Sequence, residues 1–184
     1  MTLLRCSSAL LVLALLGYEP PAPTPAANSQ ADATDTTGGD PWGAMPTTVE
    51  PFYFTEFEEW VGKPLASEQL ARLISRPIPD PLKEGRAFVM LYRADCEHCH
   101  DMLETWFTES VPAPTVAVEV PDTEPDAALP FPSTLVERRV FPKGPQYVIS
   151  TPALFAIKDG VVTGFADDPE DVAEVEACLN SNAS

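Results

Sequence analysis

Positive charge is scarce in this chain. Eleven Lys and Arg residues stand against 28 Asp and Glu over 184 positions, a formal charge of -17. Nucleic acid and anionic membrane surfaces would repel such a chain, so neither is expected as a partner. Histidine is rarer still, with only His98 and His100, and there are four cysteines. No second CxxC and no HxxxH pair complete four zinc ligands in a normal geometry, and no metal or cofactor is expected. A bilayer-spanning run is also missing. The early apolar stretch at residues 9–17 is too short for a comfortable span and suits the core of a signal peptide. No internal repeat is visible, so one domain plus extra segments is the expectation for this length.

The amino-terminal residues read as targeting. Arg5 is the only early charge, residues 1–18 are expected to be a signal peptide or signal anchor, and Thr24-Pro25-Ala26 is the best candidate for a cleavage site. Cys6 precedes the apolar run, which does not fit a lipoprotein acylation site. Export would place the domain in an extracytoplasmic compartment where disulfides persist, with a possible membrane tether through residues 7–18. Residues 19–50 are rich in Pro, Ala, Thr, Asp and Gly, with almost nothing to bury, and are expected to be a disordered linker. The folded domain is then expected at residues 51–184.

Within it, Phe52, Tyr53 and Phe54, followed by Phe57, Trp60 and Val61 at helix-compatible spacing, are expected to pack in a core. Ser67 is positioned to cap a helix carrying Leu70, Leu73 and Ile74, which Pro77, Pro79 and Pro81 would end. Residues 86–92 are apolar without alternation, as in a central strand covered on both faces. Strands are expected also at 115–120, 153–157 and 161–165, the last two joined by Asp159-Gly160, a strong hairpin signal. A short helix is expected within 133–140, in an otherwise unplaced segment at 121–146. A final helix is expected to start at Pro169 with Val172, Val175 and Leu179 on one face.

The chemistry concentrates at Asp95-Cys96-Glu97-His98-Cys99-His100. Cysteines at this spacing can close a disulfide within one helical turn, bind a metal, or with His100 attach a c-type haem. Cys99, Met102, Leu103, Trp106 and Phe107 fall on the buried stripe of a helix running to about Glu109, so Cys99 should face the core. Cys96 should sit at the helix start, where unpaired N–H groups stabilise a thiolate. An imidazolium at His98 would strengthen that effect, while Asp95, Glu97 and Asp101 oppose it. Cys178, at the edge of the last helix's apolar face, reads as a buried inert thiol.

An apolar strand ending in CxxC, then Thr151-Pro152 leading into a strand, Lys158-Asp159-Gly160 and a terminal helix together resemble the thioredoxin-like superfamily over about Ala87 to Leu179. The resemblance implies an α/β thioredoxin-like fold, a mixed central sheet flanked by helices. It implies that the Thr151–Pro152 bond is cis, that Pro152 lies against the sulfur pair, and that the backbone of Thr151 pairs with an incoming substrate. It further implies a thiol-disulfide oxidoreductase in which Cys96 attacks and Cys99 resolves, acting on client proteins that carry thiols or disulfides and recharged by a redox partner protein. Histidine at the place of His98 occurs in the family's disulfide isomerases and disulfide-forming members. Two positions depart from thioredoxins proper: Asp95 replaces a tryptophan, and Met90 replaces a buried acid that helps deprotonate the resolving cysteine. Two other readings remain at this point: a haem-binding electron carrier built on Cys96, Cys99 and His100, and a redox-silent binding module using the groove near Pro152.

Overall fold

The computed structural model describes residues 40–47, 52–54, 56–108, 113–121, 129, 131 and 136–183, with backbone only at 52–54. The signal segment, Cys6, most of the expected linker, Glu109 and, within the 121–146 segment, residues 122–128, 130 and 132–135 lie outside the described residues.

The order of elements is β1 (Phe52–Phe54), four short 3-10 turns (Phe57–Trp60, Leu65–Ser67, Ala71–Leu73, Asp80–Leu82), β2 (Arg86–Tyr92), α1 (Glu97–Trp106), β3 (Thr115–Glu119), β4 (Val136–Val140), β5 (Tyr147–Ile149), β6 (Ala153–Lys158), β7 (Val161–Ala166) and α2 (Val172–Ser181). Five strands form one mixed sheet in the order β4-β3-β2-β6-β7, and β1 pairs with β5 separately. β2, β3 and β4 run parallel, β6 runs antiparallel to β2, and β7 runs antiparallel to β6. The protein is therefore α/β with a mixed sheet.

The unbroken apolar run of β2 follows from its central place. Ala87, Val89 and Leu91 point to one face and Phe88, Met90 and Tyr92 to the other, and all six are buried. Both helices cover the second face, through Cys99, Met102 and Leu103 of α1 and Val175 and Cys178 of α2. The first face is covered by side chains from the 3-10 turns, among them Phe57 and Trp60, whose rings lie 5.4 and 5.0 Å from that of Phe155. Burying side chains of this size supplies most of the driving force for closing that face.

Several expectations are corrected. No helix follows Ser67: its hydroxyl donates back to the Pro64 carbonyl at 2.6 Å, and the chain makes tight turns that still bury Leu70, Leu73 and Ile74. Proline on both sides limits the length available for a regular helix. Val136–Val140 is a strand and not a helix, because it supplies the free edge of β3 with a partner. Its charged centre, Glu137, Arg138 and Arg139, suits an edge strand. The last helix begins at Val172, with the Asp171 carboxylate accepting from the Glu174 N–H at 3.0 Å, and Val172 is 55% exposed. Its buried stripe is Val175 and Cys178, flanked by Leu179. The first helix ends at Trp106, with Phe107 as its C-cap. Trp42, within the stretch expected to be linker, is 1% exposed in the core, and Arg76 donates to the carbonyls of Trp42 and Gly43 at 3.2 Å. Asp159 and Gly160 take φ of 48 and 79°, the left-handed pair that a two-residue hairpin requires.

Candidate active site

β2 ends at Tyr92, and Arg93-Ala94-Asp95 carry the chain to Cys96, the N-cap of α1. The cap geometry is set by sulfur: the Cys99 N–H donates to the Cys96 Sγ at 3.2 Å, in the place a Ser or Asp oxygen usually takes. Cys96 is half-buried, whereas Cys99, one turn on, is 0% exposed among Met90, Met102 and Leu103. Both are free thiols, as is Cys178.

Opposite Cys96 lies the start of β6. Leu91 of β2 pairs with Ala153, so the antiparallel strand begins where β2 ends. The Thr151–Pro152 peptide is cis, Pro152 is buried, and the Thr151 carbonyl accepts the Cys96 thiol proton at 3.3 Å. The residues singled out in sequence, Cys96, Cys99, Thr151 and Pro152, are thus gathered at one end of the sheet. His98 is exposed on the outer side of α1, and the His100 ring nitrogen lies 3.4 Å from the Ala94 carbonyl.

The two sulfurs are polarised in opposite senses. The Cys96 pKa falls from the ordinary 9.0 to about 6, chiefly because the Cys99 thiol donates a hydrogen bond to it. Burial opposes the shift; the Thr151 side chain, the Cys99 N–H and the charge of His98 add to it, His98 least. The Thr151 carbonyl favours the protonated thiol, and the convergent donors outweigh it. Cys99 moves up, because it is the donor in the same bond and because it is buried. Asp95, Glu97 and Asp101 are exposed, where water and salt screen their opposing charge. Cys178 stands apart: burial pushes it up to about 12, and its thiol donates to the Leu154 carbonyl at 3.6 Å.

Comparison with protein-family models, with curated proteins and with solved structures returned no match.

One residue of the site escaped the sequence reading. Arg93 reaches across from the end of β2 and donates to the carbonyls of Tyr147 and Ile149, each at 2.9 Å, and to the Thr151 hydroxyl at 3.5 Å. It ties β5 and the loop before Pro152 to the sulfur-bearing turn. A lone cation placed immediately after an apolar strand and three residues before Cys96 was the available signal, and nothing local to it indicated an acceptor more than fifty positions away. Among the described residues no group of three or more His, Cys, Asp or Glu side chains converges as a metal site. The arrangement offers a half-exposed nucleophilic sulfur, a shielded thiol within reach of it, and an adjacent backbone edge.

Proposed function

We propose that this chain is an exported thiol-disulfide oxidoreductase of the thioredoxin-like kind. The observation that carries the reading is the asymmetry of one sulfur pair: Cys96 is accessible and acidified to about 6, and Cys99 is buried and held protonated. A nucleophile must be thiolate at working pH and reachable; a resolver must be shielded until a mixed disulfide forms beside it. The approach of the Thr151 carbonyl to Cys96, and the strand order around β2, also support the thioredoxin-like assignment.

In the proposed reaction the Cys96 thiolate attacks a client disulfide, and one client sulfur leaves as thiolate. Cys99 then loses its proton and attacks the Cys96 sulfur, releasing the second client sulfur and closing the Cys96–Cys99 disulfide. The client gains two electrons, and a redox partner protein returns them in the next cycle. Run backwards, the same steps oxidise a client dithiol. His98 adds a favourable charge near Cys96, Thr151 and Pro152 form the face against which the client lies, and residues 1–18 direct the protein out of the cytoplasm.

Cys99→Ser is expected to accumulate mixed disulfides with client proteins, separable on non-reducing gels and reversed by dithiothreitol. Cys96→Ser is expected to accumulate none. Equal trapping by both variants, or by neither, refutes the role assignment.

A further inference from the structure

Arg93 closes a ring of contacts around the nucleophile. Its carbonyl accepts the Cys96 N–H at 3.2 Å, the Cys96 thiol donates to the Thr151 carbonyl at 3.3 Å, and the Arg93 guanidinium returns to the Thr151 hydroxyl at 3.5 Å. The same guanidinium donates to the Ile149 and Tyr147 carbonyls, each at 2.9 Å. One residue therefore grips both sides of the site, the sulfur-bearing turn through its main chain and the segment from β5 to Thr151 through its side chain. Each side is firmly anchored. Tyr92, the residue before Arg93, is fixed in the sheet, where its carbonyl accepts the Val120 N–H at 2.9 Å, and Tyr147 and Ile149 are buried in the core.

Ionisation of Cys96 breaks one link of this ring. A thiolate has no proton to donate, and the carbonyl oxygen of Thr151, itself negatively polarised, is repelled by it. The form of the protein that attacks is therefore the form in which the sulfur no longer holds Thr151. We infer that Arg93 is a positioning residue for the exchange reaction: it holds the Thr151 edge at a fixed separation from the Cys96 thiolate, so that a polypeptide client settles on that edge with its sulfur in line for attack. The inference rests on the exchange reaction proposed above and adds to it a preference for clients with backbone on both sides of the reacting cysteine. Arginine suits this place and lysine does not. Acceptors spread from Tyr147 to Thr151 require a planar fork with several donors, whereas an ammonium is a single point charge at the end of a flexible stem. Displacing the edge by about 1 Å is enough to cost a large factor in rate, since the reacting atoms must be held in an attacking geometry. A small disulfide makes no use of the edge and escapes most of that loss.

The test compares one reactive disulfide in two settings. An aryl thiol is joined by a disulfide either to a single capped cysteine or to a cysteine in the middle of an extended peptide; Cys96 attack forms a mixed disulfide with that cysteine and releases the coloured aryl thiolate. The reduced full chain, carrying Cys6→Ser, reacts with each in turn, with Cys96→Ser as the blank. The unsubstituted protein is expected to react faster with the peptide, and Arg93→Lys to lower the ratio of the two rate constants about tenfold or more, within the cost of a misplacement of about 1 Å. Loss of folded protein alone slows both reactions by the same factor and leaves their ratio as it was. A ratio unchanged in Arg93→Lys, or no preference for the peptide in the unsubstituted protein, overturns the inference and leaves the exchange reading standing. Release no faster than from Cys96→Ser with either substrate overturns both. Should Arg93→Lys fail to fold, Thr151→Val deletes the hydroxyl that closes the ring and should lower the ratio about threefold, the worth of one ordinary hydrogen bond, while Thr151→Ser should hold it; equal ratios in these two variants overturn the inference.

Discussion

Removing the Cys99 thiol tests the account of Cys96 most directly, since that thiol is the leading cause of its acidity. With a pKa drawn from 9.0 to about 6, about nine-tenths of Cys96 is thiolate at pH 7, against about one part in a hundred for an unperturbed thiol. Thiolate stabilisation of this size favours the reduced protein about tenfold at pH 7, which for a two-electron couple makes the disulfide about 30 mV more oxidising. The raised pKa of Cys99 contributes nothing at that pH, because a thiol at 9.0 is protonated there as well. One proton in place of two should accompany the two electrons above pH 6, so the potential should fall by about 30 mV per pH unit there and by about 59 below. Cys99→Ala deletes the donor and should move the Cys96 midpoint back toward 9.0. Cys99→Ser keeps an O–H donor and should hold it nearer 6. The ultraviolet absorbance of the thiolate against pH reads these midpoints, with Cys96→Ser as the baseline, and equilibration with glutathione reads the potential. A midpoint at or above about pH 8 in the unsubstituted protein, or equal midpoints in the two Cys99 variants, would refute the assigned cause.

Arg93→Gln cannot hold two strand carbonyls and a hydroxyl at once; it should destabilise the fold by about 1–3 kcal/mol in denaturant unfolding and slow Cys96 attack on protein clients more than on small disulfides. Gly164→Ala should cost about 1–3 kcal/mol by thermal unfolding, because a methyl there meets the Ser181 side chain and comes within 3.1 Å of the Cys178 Cα, so α2 must shift. The pH dependence of stability has a definite sign in the reduced protein. The lowered Cys96 pKa contributes stability that is complete above 9.0 and is lost as pH falls through about 6, whereas the raised Cys99 and Cys178 contribute stability present below 9.0 and lost as pH rises above it. The gap in melting temperature between reduced and oxidised protein, scanned with pH, should therefore widen in favour of the reduced form between about pH 6 and 9, and a flat gap would contradict the Cys96 shift.

What the sequence disclosed was whatever its own local periodicity records. A strand buried on both faces, a helix with one apolar stripe and a left-handed Asp-Gly pair each write their conformation into consecutive residues, and β2, α1 and the β6–β7 hairpin occur where those patterns lie. Ser67 misled because a cap signal says where a helix is allowed to begin, while the surrounding prolines decide whether it has room. β4 was hidden for another reason: Val136–Val140 is a strand by virtue of β3, whose paired residues lie twenty-one positions earlier, and its charged centre gives no alternation of its own. Trp42 lay in a composition typical of linkers, and a single aromatic outweighs that composition once it finds a cavity. In the site, spacing disclosed the sulfur pair, but not Arg93, whose acceptors lie more than fifty positions along the chain.

Sheet topology explains why these groups meet. A central strand with both faces buried can present chemistry only at an end, and parallel strands place their carboxyl ends together, where the chain leaves the sheet in diverging directions. β2, β3 and β4 all finish on that side, which aligns Tyr92, Glu119 and Val140 across neighbouring strands. β6 runs the opposite way, so its first residues arrive on the same side, bringing the Thr151 carbonyl to the Cys96 sulfur. β5, just before β6, is tied to the sulfur-bearing turn by Arg93, which donates to the Tyr147 and Ile149 carbonyls. A thiolate at the helix start needs donors without bulk, which the Cys99 N–H and thiol provide.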